Sequence, residues 1–170
     1  MRNMTYNIHP IVVHFPVALL TLYAILAITP VSSMAPRVAW YDIKRALLLF
    51  GTLGAYVAFS TGEGAEEIIG ENLIVEKHSL FASLVVIAFS IALAREIILL
   101  IREKAMEKNK VLPPFVLTLV KAIQSPWIEK LLALLGLVAL LVTGALGGAM
   151  VYGTSVDPLT APILKILGIS

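Results

Sequence analysis

Three histidines, His9, His14 and His78, are the side chains through which metal or cofactor chemistry in this 170-residue chain would have to pass. The chain has no cysteine, which excludes a disulfide framework, a thiolate zinc site, an iron–sulfur cluster and covalent haem attachment. Imidazole and carboxylate remain. Two imidazoles from different helices can take the two axial positions of haem b inside an apolar bundle. Imidazole nitrogens joined by carboxylate oxygens can instead hold a non-haem metal such as zinc, iron or manganese. The candidate carboxylates are Glu63, Glu66 and Glu67. Glu63, closest to an apolar run, is the one placed to act as a ligand or proton carrier. The spacing contains neither H-E-x-x-H nor E-x-x-H, and a glutamate run beside glycine reads equally as a solvated loop.

The elements that must position these groups follow from composition. With 59% apolar and 14% charged residues and a mean hydropathy of +0.92, the chain is too apolar for a soluble domain and too hydrophobic for disorder. A formal charge of +2 gives no reason to expect a nucleic-acid partner. Four apolar runs are long enough to cross about 30 Å of hydrocarbon, at about residues 11–29, 43–61, 79–101 and 130–152. Each is apolar all round, and so small a chain has no core that could hide four such helices from water. The expectation is an all-α, integral membrane four-helix bundle forming a single domain. Arg2 and Ser33-Met34-Ala35 loosely imitate a cleavable signal, but His9, His14 and Pro16 interrupt its apolar core, so the first span is retained.

Charge placement sets the expected orientation. Arg37, Lys44 and Arg45 fall between spans one and two, and Arg95, Arg102, Lys104, Lys108, Lys110, Lys121 and Lys130 at or between the ends of spans three and four. Cations gather on the cytoplasmic side of short loops. Both termini and the glutamate loop are therefore expected outside, in a multi-pass protein of the cell membrane. Between spans three and four, Phe115 to Ile123 is too short to cross and reads as an interfacial helix. Ser125-Pro126-Trp127 then supplies a cap, a first-turn proline and an aromatic anchor. Asp157-Pro158 begins a second short amphipathic piece. No internal repeat is obvious.

This topology brings the histidines to one end. Spans one and three are usually diagonal in a short-looped bundle, so His14 and His78 are expected to face each other through its centre. His9, five residues earlier, points about 140° away from His14 on a helix; its expected role is a hydrogen bond to a propionate or a supporting group. Pro16 predicts a kinked or broken turn over His9 to Pro16. Gly51 and Gly54 in span two, with Gly144, Gly147 and Gly148 in span four, would leave room for a planar macrocycle. The same glycines would also serve ordinary close approach of membrane helices.

The string His9-Pro10-Ile11-Val12-Val13-His14-Phe15-Pro16-Val17-Ala18-Leu19 resembles the opening signature of the family called domain of unknown function 2231. His78 and the closing Gly147-Gly148-Ala149-Met150-Val151-Tyr152 extend the likeness over nearly the whole chain. The resemblance implies a four-span membrane protein with a histidine at the start of span three. Where many members carry a further histidine and glycine after that tyrosine, this chain has Gly153-Thr154-Ser155, so His14 and His78 would have to suffice. Three readings stand. The first is a b-type cytochrome-like electron carrier, rather than a stand-alone enzyme, passing electrons between a quinone or outer redox partner protein and another protein. The second is a non-catalytic accessory subunit of a larger membrane complex. The third is a metal-binding protein using His14, His78 and Glu63.

Overall fold

The computed structural model describes residues 8–70, 72–108, 111–154 and 158–169, the side chains of residues 67 and 68 apart. Helices account for the regular structure among them, in the order α1 (His9–Ile28), α2 (Val31–Met34), α3 (Trp40–Ile69), α4 (Leu73–Glu107), α5 (Pro114–Ile123), α6 (Pro126–Tyr152) and α7 (Thr160–Ile166). Four of them, α1, α3, α4 and α6, are long and apolar enough to span a bilayer. Only 28–33% of each apolar window is buried within the protein, so most of that surface faces the hydrocarbon, where it needs no protein partner. The protein is a multi-pass membrane protein whose first partner is the bilayer itself.

The helix limits differ from the sequence expectation in an instructive way. Glutamate and alanine are good helix formers, and α3 runs on past Thr61 through Glu63, Glu66 and Glu67 where a loop was expected. It stops at Gly70, whose φ of 85° suits a residue without Cβ. Asn72 then caps α4 by accepting from Val75 N at 3.0 Å. His78 consequently lies more than a turn inside α4 rather than at its start. Pro16 sits within a continuous α1; buried beside Gly54, it is tolerated as membrane-helix prolines are when neighbours cover the freed backbone. Asp157 lies outside the described residues, and α7 occupies the expected second short piece. Thr160 and Leu164 bury against α6, with Thr160 Oγ1 donating to Ala145 O at 3.5 Å.

Packing follows the cycle α1–α3–α4–α6–α1, which leaves α1 and α4 diagonal across the axis. Their inward residues share one spacing. Pro16, Leu20, Tyr23 and Ala27 are buried seven, eleven, fourteen and eighteen residues after His9. Val85, Phe89, Ala92 and Glu96 are buried at the same intervals after His78. The hairpins α1–α3 and α4–α6 thus pack in like fashion, a relation absent from the residue identities and therefore not visible as a repeat. Midway along the axis the two diagonal helices touch through Tyr23 and Phe89, with ring centroids 6.0 Å apart and planes at 75°, the edge-to-face geometry aromatic pairs favour. Phe89 reaches past them to α6, where a methyl at Gly136 would stand 2.6 Å from its Cζ.

At the end of the bundle away from the histidines, charges that served above only as topology signals form a network. Lys44 on α3 reaches Glu129 on α6 at 2.5 Å. Arg45 reaches Glu103 at 2.8 Å and Glu96 at 3.5 Å on α4. The buried Arg95 holds Glu96 at 2.5 Å and donates to the carbonyls of Ile123 at 2.8 Å and Ser125 at 3.3 Å. The Ile123 carbonyl lies in the last turn of α5, where helix carbonyls lack intrahelical partners, while that of Ser125 at the start of α6 also accepts from Ile128 N at 3.1 Å. The interfacial helix α5, about 15 Å long by its ten residues, is thereby tied to the bundle with Phe115, Leu117 and Leu119 outward. Arg95→Ala should leave the Ile123 carbonyl without its donor and Glu96 with Arg45 alone, and destabilise the protein by about 3–5 kcal/mol. Thermal unfolding in detergent, followed by circular dichroism, checks this, and Arg95→Met with Glu96→Leu should recover most of the loss because it removes both charges together.

Candidate functional site

The opposite end of the bundle gathers the N-terminal turns of α1 and α4 with the C-terminal turns of α3 and α6, as the topology required. It brings together His9 and His78, not His14 and His78. The rings of His9 and His78 have centroids 6.3 Å apart and planes at 83°. The correction has a simple cause. His9 is in helical phase with the buried face of α1, whereas His14 falls about 140° round from it. His14 is exposed, and its Nδ1 turns back to the carbonyl of Pro10 on its own helix.

Each inward ring is held by the span packed beside its own helix. His78 Nδ1 donates to the carbonyl of Thr143 on α6 at 3.0 Å. His9 Nδ1 lies 3.0 Å from Thr61 Oγ1 on α3. The hydroxyl of Thr61 also lies 2.8 Å from Ala58 O, and the Ala58 backbone is a hydrogen-bonding partner of His9 as well. The Thr143 carbonyl can only accept, so a neutral His78 is protonated at Nδ1 with its in-plane lone pair on Nε2, the atom that binds metals when Nδ1 is held by an oxygen.

Glycine gives each ring its room. A methyl at Gly62 would lie 3.5 Å from His9 Cε1, and one at Gly147 would lie 3.3 Å from His78 Cε1. Gly148, beside Gly147, is half-buried on α6. The other glycines serve differently. A methyl at Gly51 would meet Leu20 Cδ2 at 2.7 Å, and one at Gly54 would meet Phe15 Cδ1 at 2.9 Å. Those two positions are filled by α1 and provide the close helix approach that small residues allow in membranes. Gly144 is exposed and meets nothing within 4 Å.

Glu63 is exposed and stands two residues beyond Thr61, about 200° round α3 from the side that meets His9. Among the described residues, no group of three or more His, Asp and Glu side chains is placed to hold a metal ion. Glu66 instead lines a polar space of about 610 Å³ with Asn72, Glu76, Ser79 and Ser83, between the end of α3 and the start of α4. Thr61, Gly62 and Thr143 are the supporting residues that sequence reasoning passed over. Thr61, a hydroxyl in the last apolar turn of a span, carried a signal; Thr143 acts through its backbone carbonyl, which no residue type announces.

A four-span helical membrane protein with a half-buried histidine pair between diagonal helices is the class these features define. Residues 5–158 match the family described as predicted membrane protein, domain of unknown function 2231, and the chain belongs to it. Neither the curated proteins nor the solved structures contain a match to this chain. The division of labour among the glycines is testable. Gly51→Ala and Gly54→Ala should overpack the α1–α3 contact and lower stability by about 1–3 kcal/mol, while Gly144→Ala should be neutral or stabilising by up to about 1 kcal/mol. Thermal unfolding of the three variants in the same detergent measures both effects.

Proposed function

We propose that this protein is a b-type cytochrome-like electron carrier of the membrane, with haem b ligated by His9 and His78. The observation that carries this reading is the separation of the two rings. Metal–imidazole bonds of about 2.0–2.1 Å on opposite sides of one ion put the ring centroids about 6 Å apart. The separation of 6.3 Å fits that arrangement, and Nδ1 of each ring lies 3.0 Å from an oxygen of a neighbouring span, the setting in which Nε2 is the nitrogen that binds metals. Gly147 leaves beside His78 the space that a methyl, 3.3 Å from Cε1, would crowd. Haem would supply reversible one-electron chemistry. The chain's own part is to fix the two imidazoles, exclude water with apolar spans and present one edge of the site near the membrane surface, where a quinone or a redox partner protein can reach it.

Ligation by His9 replaces the sequence expectation of His14. Two imidazoles alone favour haem over a His/Glu non-haem site, because a bare transition ion needs further donors, and Glu66 reaches both rings through its charge without completing, among the described residues, a group of three placed to hold a metal ion. Expressed with haem supplied and purified in mild detergent, the protein should show a visible band pair that sharpens on dithionite reduction, with near-stoichiometric iron. His9→Ala and His78→Ala should each abolish it, and His14→Ala should retain it. Retention in either of the first two variants would refute this ligand pair. A featureless spectrum with a stoichiometric transition metal would turn the reading towards a non-haem site, and no metal at all towards an accessory subunit.

Orientation belongs to the same proposal. Arg37, Arg102, Lys108, Lys121 and Lys130 stand at or beyond the Arg95 end of the spans, which supports a cytoplasmic location for that end and an outer location for the histidine pair. The lack of cysteine makes the test clean. A membrane-impermeant maleimide should label Gly64→Cys in intact cells. It should label Met34→Cys, at a site 78% exposed, only after permeabilisation; the reverse pattern would invert the topology.

A further inference from the structure

The ion-pair network at the Arg95 end engages most of the carboxylates there: Glu129 with Lys44, Glu96 with Arg95 and Arg45, Glu103 with Arg45, and Glu107 with Lys104. Outside it stand Arg37, Arg102, Lys108, Lys121 and Lys130, none of which has a carboxylate within ion-pair distance among the described residues. Membrane topology asks for cations at one end of the spans, but it does not say what meets them there. The depth at which they lie does. Arg95 donates to Ile123 O at 2.8 Å and Ser125 O at 3.3 Å, which fixes the corner between α5 and α6 at its own level. Lys121 lies two residues before that corner and Lys130 five residues beyond it. The ammonium of Lys130 stands 5.4 Å from the centroid of the Trp127 ring, and Trp127 is 76% exposed. On α5 the exposed Leu119 and Phe115 lie about 160° and about 120° round the helix from Lys121. Apolar side chains and cation thus leave α5 on different sides, as on a helix lying in the headgroup layer of a bilayer.

We propose that the α5–α6 corner is a docking surface for anionic phospholipids, whose headgroups meet Lys121 and Lys130 and whose acyl chains cover Phe115, Leu119 and Trp127. Charge complementarity and the apolar face point to the same occupant. A soluble phosphate or an acidic protein segment would use the cations and leave the large apolar side chains in water, which is unfavourable. A phospholipid covers both. The surface is independent of any cofactor at the histidine end.

Bromine on a lipid chain quenches tryptophan by contact, and the chain has two tryptophans, so Trp40→Phe leaves Trp127 as the reporter. In bilayers of fixed protein content, brominated phosphatidylglycerol should quench this variant in preference to brominated phosphatidylcholine, with a relative binding constant of about 5 or more, the preference that one cation near an anionic surface supplies. Lys121→Gln and Lys130→Gln should each lower that preference and together remove most of it. Lys165→Gln, on α7 at the other end of the bundle, should leave it unchanged. Raising the salt to 1 M, which shortens the screening length from about 10 Å to about 3 Å, should lower it too. Native mass spectrometry of the unaltered chain, released from nanodiscs holding the two lipids in equal parts, should show phosphatidylglycerol retained, and the Lys121→Gln/Lys130→Gln chain should lose it. This second readout decides the matter even if Trp40→Phe fails to fold. A relative constant near 1, equal retention of the two lipids, or a preference that survives the double substitution overturns the proposal. Equal retention together with capture of polyglutamate would assign the cations to an acidic protein segment instead.

Discussion

Hydrocarbon offers no hydrogen bonds, and that constraint shapes every part of this molecule. A peptide group left without a partner there costs several kcal/mol, so each crossing segment must be a helix that satisfies itself. Polar side chains are then driven mostly to the ends of the bundle or into hydrogen bonds within it, Thr52 Oγ1, buried on α3 without a hydrogen-bond partner among the described residues, being an exception. The chain shows both outcomes. Arg95, Glu96, Arg45 and Glu103 cluster at one end and the histidines with Thr61 and Thr143 at the other. Between them the axis is filled by Leu20, Tyr23, Leu48, Phe89 and Leu140.

Because lipid is as apolar as leucine, no hydrophobic gain draws the helices together, and close van der Waals fit has to do so. Gly51 and Gly54 let Leu20, Phe15 and Pro16 approach α3, while Gly136 admits Phe89 to α6. These contacts fix the rotation of α1 and α4 about their own axes, and the rotation decides which histidine points inward. The site is thus a consequence of packing several turns away. His9 reaches the axis because Pro16, Leu20 and Tyr23, on the same face, are held there.

The same fact marks how far sequence could lead. Span count, the short helix α5 and the gathering of all three histidines at one end were legible, because length, hydropathy and charge report them directly. The choice of His9 over His14 was not. A helix apolar all round has no amphipathic stripe from which to read its phase, so the inward face of α1 was invisible even though His9, Pro16, Leu20, Tyr23 and Ala27 share it. The charge network was hidden for a different reason. Its partners lie far apart in sequence, Lys44 from Glu129 and Arg95 from Ser125, and no local spacing rule connects them.

The two polar ends differ in a way that bears on where chemistry can occur. At the Arg95 end, charges face opposite charges and helix-end carbonyls, so the hydrogen-bonding capacity of the groups is turned upon the protein and their effect is to fasten α5 and α6 to the rest. At the other end Nδ1 of each inward imidazole meets an oxygen of the neighbouring span, Thr61 Oγ1 for His9 and the Thr143 carbonyl for His78. Two rings 6.3 Å apart on diagonal helices, each met by a different neighbouring span, are the grouping on which the proposed ligand pair rests.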